Sequence, residues 1–347
     1  MTSVPATRPR DRTDTPTLIG RAAVVMGWLA VALLSLAAAV GVEPAGAWLY
    51  LPFALSVVLF GLPHGAVDHL VLLRLDGDPF RPRPLVRVLA TYLAIGLAYL
   101  ACWFVLPVAA FVFFIALTWF HWGQGDAHSL LALTGGRHLR TRGQRALALV
   151  VRGGMPMLVP LLAFPEVYLD VARSVVGVLG VEGALATAPS PAVRAAAAVA
   201  FAALGIAHVV AGWRACPEDA RRGWRIDAAE TAGLAIFFAT VHPLLAVGVY
   251  FCLWHSVRHI VRLAATSTAV PPPPLPPRRP WRTFVVHALP MTVLALVFLG
   301  GLYTLVPVAP SSWGDLVGLY LVLIATLTLP HVWVVARMDR AEGVWNA

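Results

Sequence analysis

Four short stretches place histidine in an otherwise apolar chain: Gly61-Leu-Pro-His64-Gly-Ala-Val-Asp68-His69, Trp119-Phe120-His121-Trp122-Gly-Gln-Gly-Asp126-Ala-His128, Trp254-His255-Ser-Val-Arg258-His259 and Leu329-Pro330-His331. A neutral imidazole offers one ring nitrogen as a ligand for zinc, copper, iron or nickel. His255 and His259 are four residues apart, so on a helix they share a face and can share one ion. His64 and His121 are the further ligand candidates. Asp68 and Asp126 are candidates to accept the outer N–H of such rings, a common support for metal-bound histidine. Asp68 follows His64 by four residues and faces the same way. His69 and His331 are possible supporting groups. Trp119, Phe120, Trp122, Tyr250, Phe251 and Trp254 surround the histidines in sequence. They suit the wall of an apolar tunnel, or else packing and lipid contact.

The elements that carry these residues are membrane helices. The chain has 347 residues, 59% hydrophobic and 12% charged, where a soluble domain carries about 25% charged residues. Its apolar runs approach 20 residues, enough to cross a hydrocarbon core about 30 Å thick. The expected fold is all-α: a polytopic transmembrane helical bundle of about ten spans, near 20–41, 47–73, 85–105, 107–125, 144–164, 191–213, 226–241, 243–264, 283–304 and 314–337. His242-Pro243 divides the seventh from the eighth, because proline disfavours helix at the preceding residue. Residues 1–19 read as a cytoplasmic tail, 20–340 as one integral-membrane domain and 341–347 as a C-terminal tail. A Pro-rich stretch within 268–281 reads as a stiff cytoplasmic linker.

The basic residues fix an orientation. All 26 are arginine and none is lysine. They cluster in alternate connections, around Arg74–Arg87, Arg137–Arg145, Arg214–Arg225 and Arg278–Arg282, which by the positive-inside rule puts both termini in the cytoplasm. Their loop placement argues for topology and against nucleic acid as a partner. The missing lysine excludes an opsin, which needs an amine for its Schiff base. Cys102, Cys216 and Cys252 show no pairing pattern. The four histidine stretches all fall on even-numbered spans, about 5–14 Å from their cytoplasmic ends at 1.5 Å per residue, so a bundle can bring them together. Polar groups at membrane depth are functional by default, and helix-borne ligands facing a bundle core are an established metal architecture. His128 and His138 read as solvated loop residues. His208 and His287 read as packing groups, and His242 lies toward the external side.

The stretches PHGAVDH at 63–69, FHWGQGD at 120–126, YFCLWHSVRH at 250–259 and LPH at 329–331 resemble the Brp/Blh family of β-carotene 15,15'-dioxygenases, in the family's order. The resemblance implies a multi-pass cell-membrane enzyme with a non-haem Fe(2+). It implies cleavage of the central double bond of β-carotene with O2 to two molecules of all-trans-retinal, and a possible hand-off of retinal to an opsin. It assigns the iron to His64, His121, His255 and His259. Trp122 departs from the family's usual His-Phe-Gly form, which bears on the choice of carotenoid. Besides a haem protein with paired histidines as axial ligands, two other classes compete. One is a membrane di-iron desaturase or hydroxylase acting on a lipid, whose HxxHH pattern is absent here. The other is a transporter with a histidine relay for protons or metal.

Overall fold

The computed structural model describes residues 18–346 apart from 43, 79, 184, 186 and 267–279. The first 17 residues and most of the Pro-rich linker therefore lie outside the described residues. The described chain is helical and contains no strand. Its helices are α1 (Leu18–Ala39), α2 (Gly46–Asp76), α3 (Pro82–Val105), α4 (Pro107–Ala132), α5 (Arg142–Ala163), α6 (Pro165–Gly177), α7 (Pro191–Ala215), α8 (Arg221–Thr240), α9 (Pro243–Leu263), α10 (Pro280–Leu305) and α11 (Trp313–Glu342).

Among the described residues nine of these are long and apolar enough to cross a membrane: all but α6 and α8. The expected span at 226–241 corresponds to α8. It has 20 residues, about 30 Å of helix, but its first half carries Asp227 and Glu230 as well as arginines. The outer faces of α1, α3 and α10 expose Leu29, Leu33, Leu93, Leu97, Leu289 and Val297. An apolar surface of that extent fits lipid rather than water.

Local sequence sets where the helices start and stop. Proline stands in the first turn of α3, α4, α6, α7 and α9, where its missing N–H costs nothing and its fixed φ suits a helix. Thr141 with Gln144, and Ser312 with Asp315, form reciprocal capping boxes at α5 and α11. Gly77 and Gly343 close α2 and α11 at φ 68° and 67°, the left-handed conformation glycine adopts without penalty. α8 ends at Thr240 and α9 begins at Pro243, so the break expected at His242-Pro243 is present.

Two spans are irregular, and both carry site histidines. In α2 a π-helical stretch, Ser56–Phe60, precedes the turn bearing His64, and a break at Ala66–Val67 restarts the helix at Asp68. In α9 a π-helical stretch, Tyr250–Ser256, contains His255. Such stretches re-aim side chains and recur at functional sites. α4 and α5 touch most closely. A Cβ at Gly123 would sit 2.1 Å from the Leu149 carbonyl oxygen, and one at Gly153 would sit 2.0 Å from that of Trp119. This crossing of two backbones, made possible by glycine, holds His121 at its depth. α6 packs on α11 and buries Ala172, Val175 and Val176 in the core.

Candidate metal centre

His64 from α2, His121 from α4, His255 and His259 from α9 and His331 from α11 meet in one buried cluster. Ring centroids are 4.7 Å apart for His121 and His255 and 5.6 Å from His64 to both His255 and His259. His255 and His259 lie nearly parallel at 7°, 6.4 Å apart, as residues on one helix face should. The Nε2 atoms of His121 and His255 are 3.1 Å apart. Two nitrogens that each lie about 2 Å from a shared ion at roughly a right angle stand about 3 Å apart. The ligating atoms of His64, His121 and His255 all lie within 4.8 Å of one another.

The donor set fits a transition metal. His64 Nδ1 donates to the Gly61 carbonyl, leaving its Nε2 lone pair free. His121 Nδ1, His259 Nε2 and His331 Nε2 are buried with no hydrogen-bond partner among the described residues. Buried polar atoms are normally paired, so the bare nitrogens of His259 and His331, beside the facing Nε2 atoms of His121 and His255, call for an ion. Glycine makes the close approach possible. A Cβ at Gly125 would press to 3.2 Å on His255, and one at Gly61 would come within 2.8 Å of Phe251 and Tyr320.

The cluster opens on an apolar cavity of about 460 Å³, within the usual range of ligand pockets. His64, His121 and His331 reach it, with Phe251, Trp122 and Tyr92 among its walls. Leu93 and Leu97 of α3 and Leu294 of α10 line the cavity and are also exposed on the outer surface. The cavity therefore reaches the apolar outer surface formed by α3 and α10. Tyr168 of α6 also lines the cavity, and burial pushes its phenol above the ordinary range.

A sequence model described as beta-carotene 15,15'-dioxygenase matches residues 55–339. The chain is 44% identical to a probable beta-carotene 15,15'-dioxygenase, Blh, of Halobacterium salinarum, over 94% of each chain. It is 32% identical to the probable beta-carotene 15,15'-dioxygenase Brp of the same organism over 84% of each. It is 25% identical to a beta-carotene 15,15'-dioxygenase of uncultured marine bacterium 66A03, over 59% of this chain and 66% of that one. No solved structure matches. The chain belongs to the β-carotene 15,15'-dioxygenase family.

In this dioxygenase-family chain the residues singled out by sequence fall into three groups. Asp68 sits beside the cluster, its Oδ2 2.7 Å from His331 Nδ1 and 3.3 Å from the Tyr92 hydroxyl. His69 lines the cavity and bonds its own Ala66 carbonyl at 3.0 Å. Asp126 touches no cluster histidine with a hydrogen bond. It accepts instead from Arg152 Nε at 2.9 Å and Trp254 Nε1 at 3.0 Å. Of the six aromatic candidates, Trp122 and Phe251 line the cavity. Phe120 is 41% exposed on the outer surface. Trp119 donates to the Val150 carbonyl at 2.8 Å and packs on Phe201. Tyr250 and Trp254 are buried in the core behind the site. Neighbours in a helical sequence point about 100° apart, so a run of aromatics cannot all face one tunnel.

That core holds an ion network. Arg152 pairs with Asp126 and Glu230, and Arg258 pairs with Glu230 at 2.7 Å while its guanidinium lies 3.8 Å over the Trp254 ring. Trp28 of α1 donates to Glu230 at 2.9 Å. Two arginines face two carboxylates with no charge left over, as burial requires. Trp254 and Arg258 each precede a ligand candidate by one residue, so the network fixes the rotation of α9 and with it His255 and His259. A second clamp joins Gln124, Arg262 and Asp339 at 2.7–2.8 Å.

Two histidines expected to be solvated are not. His138 is fully buried and donates to Asp227 at 2.8 Å, and His208 lies 2.9 Å from the same oxygen. His128 pairs with Glu342 at 3.1 Å. The 133–141 connection folds back onto α7 and α8, and a loop's position relative to distant helices leaves no mark in its own sequence.

Proposed function

We propose that this chain cleaves the 15,15' double bond of β-carotene with O2, giving two molecules of all-trans-retinal, at an Fe(2+) held by His64, His121, His255 and His259. The observation that carries this reading is the opening of a buried cluster of imidazoles onto an apolar cavity whose lining reaches the apolar outer surface of α3 and α10. A carotene has no polar group to recognise and is dissolved in lipid. A site for it needs shape, depth and freedom from water, and this cavity supplies them.

Iron bound here would supply the activation of O2 and the redox chemistry of the scission. The protein's own part is placement. His64 is aimed by its bond to the Gly61 carbonyl. Phe251, whose ring meets His64 edge-on at 5.6 Å, and Trp122, 5.7 Å from His255, form the wall nearest the cluster. They hold the polyene against the reacting centre and exclude water. Retinal, still apolar, leaves by the face of α3 and α10 into the cell membrane, where an opsin can take it up.

Expression in β-carotene-producing cells tests the reading. The expected result is loss of β-carotene with appearance of retinal in the membrane fraction, and iron in the purified protein. Undiminished carotene with no retinal would sink it.

A further inference from the structure

His331 stands among the four rings assigned to iron, not behind them. Its ring centroid is 4.9 Å from His64, 4.8 Å from His121 and 5.0 Å from His259. These spacings are as short as those within the assigned set, where His121 and His255 are 4.7 Å apart and the two His64 distances are 5.6 Å. His331 is 4% exposed, and its Nε2 has no hydrogen-bond partner among the described residues.

The other side of the ring explains its aim. Nδ1 donates to Asp68 Oδ2 at 2.7 Å. The Asp68 carboxylate is in turn bonded by the Tyr92 hydroxyl at 3.3 Å, and Asp68 lies in the first turn of the restarted helix, where the helix dipole favours an anion. A carboxylate on one ring nitrogen fixes the tautomer and leaves the lone pair on the other. His64 shows the same arrangement with a carbonyl as the outer acceptor.

We propose that His331 is a fifth imidazole ligand of the same ion, oriented by Asp68. The inference rests on the metal reading of the site. It differs from a supporting role for His331, in which the ring would bond a ligand histidine and not present a bare nitrogen to the centre. It also differs from a two-ion site, in which Asp68, His259 and His331, whose ligating atoms lie within 4.8 Å of one another, would hold an ion of their own.

The test uses purified full-length protein loaded with cobalt(II), whose visible absorption strengthens as coordination number falls, alongside iron analysis. Wild type is expected to hold one metal ion per chain. His331→Ala should hold it about tenfold more weakly or worse against a chelator and show a stronger, shifted cobalt band. Free imidazole, filling the vacated space, should restore the wild-type spectrum. Asp68→Asn, which keeps the shape of the side chain, should weaken retention by about tenfold with a small shift of the band. A His331→Ala spectrum superimposable on wild type would overturn the inference, as would two ions per wild-type chain. If His331→Ala does not fold, an Asp68→Asn protein with wild-type metal retention and an unmoved band would overturn it instead. Wild-type protein that takes up neither cobalt nor iron would overturn the proposed function, and this inference with it.

Discussion

At the residue scale, His121 and His255 put two Nε2 atoms 3.1 Å apart, a separation set by helices α4 and α9 and not by either ring. His121→Ala and His255→Ala should each abolish retinal formation and lower bound iron while the protein still inserts. Chromatography of carotenoid products and metal analysis of the membrane fraction read both effects, and wild-type activity in either variant would remove that residue from the site. The aromatic neighbours divide more sharply. Phe251 lines the cavity and meets His64 edge-on, whereas Phe120 faces outward. Phe251→Ala should cut turnover at least tenfold, the scale on which misplacement of a substrate acts. Phe120→Ala should leave it unchanged. Equal losses in the two would contradict the assignment of the cavity.

At the element scale, the proposed route for a lipid-dissolved substrate is the gap between α3 and α10. Leu93 and Leu294 stand on either side of it, exposed at 58% and 57%. Replacing both with tryptophan should raise KM for carotene several-fold with little change in metal content. An unchanged KM would place the route elsewhere. The connection between α4 and α5 carries a second expectation. His138 looks like a solvated loop residue by sequence, yet it is buried and bonded to Asp227. His138→Ala leaves a buried carboxylate short of one donor, a loss of about 1–3 kcal/mol. A fall in Tm in detergent should register it, and a Tm equal to wild type would show the pair to be neutral.

For the whole molecule, five histidines on four helices converge at one point, so an ion there ties α2, α4, α9 and α11 together. A ligand that binds only the folded state stabilises it by about 2.7 kcal/mol at 100 times its Kd. Chelation should therefore lower Tm by several degrees in wild type and hardly at all in His255→Ala. A chelator-insensitive wild type would mean that the cluster holds no ion. The balanced pairs around Arg152, Glu230 and Arg258 serve the same end from the other side. They fix α9 behind its histidines, at the cost of burying charge that only complete pairing offsets.

Apolar length and proline placement determined the helices, because a bilayer forces each span to satisfy its own backbone and to show an apolar surface. The histidine stretches were legible for the same reason, since a polar ring at membrane depth stands out against its surroundings. His331 was visible only as a short Leu-Pro-His. Its place beside the other four rings depends on ring distances across four helices, which no local spacing encodes. Which aromatics line the cavity, what Asp126 bonds and whether His138 meets water were likewise decided by helix rotation and loop return. These are set by contacts between residues far apart in the chain, and such contacts exist only once the bundle has packed.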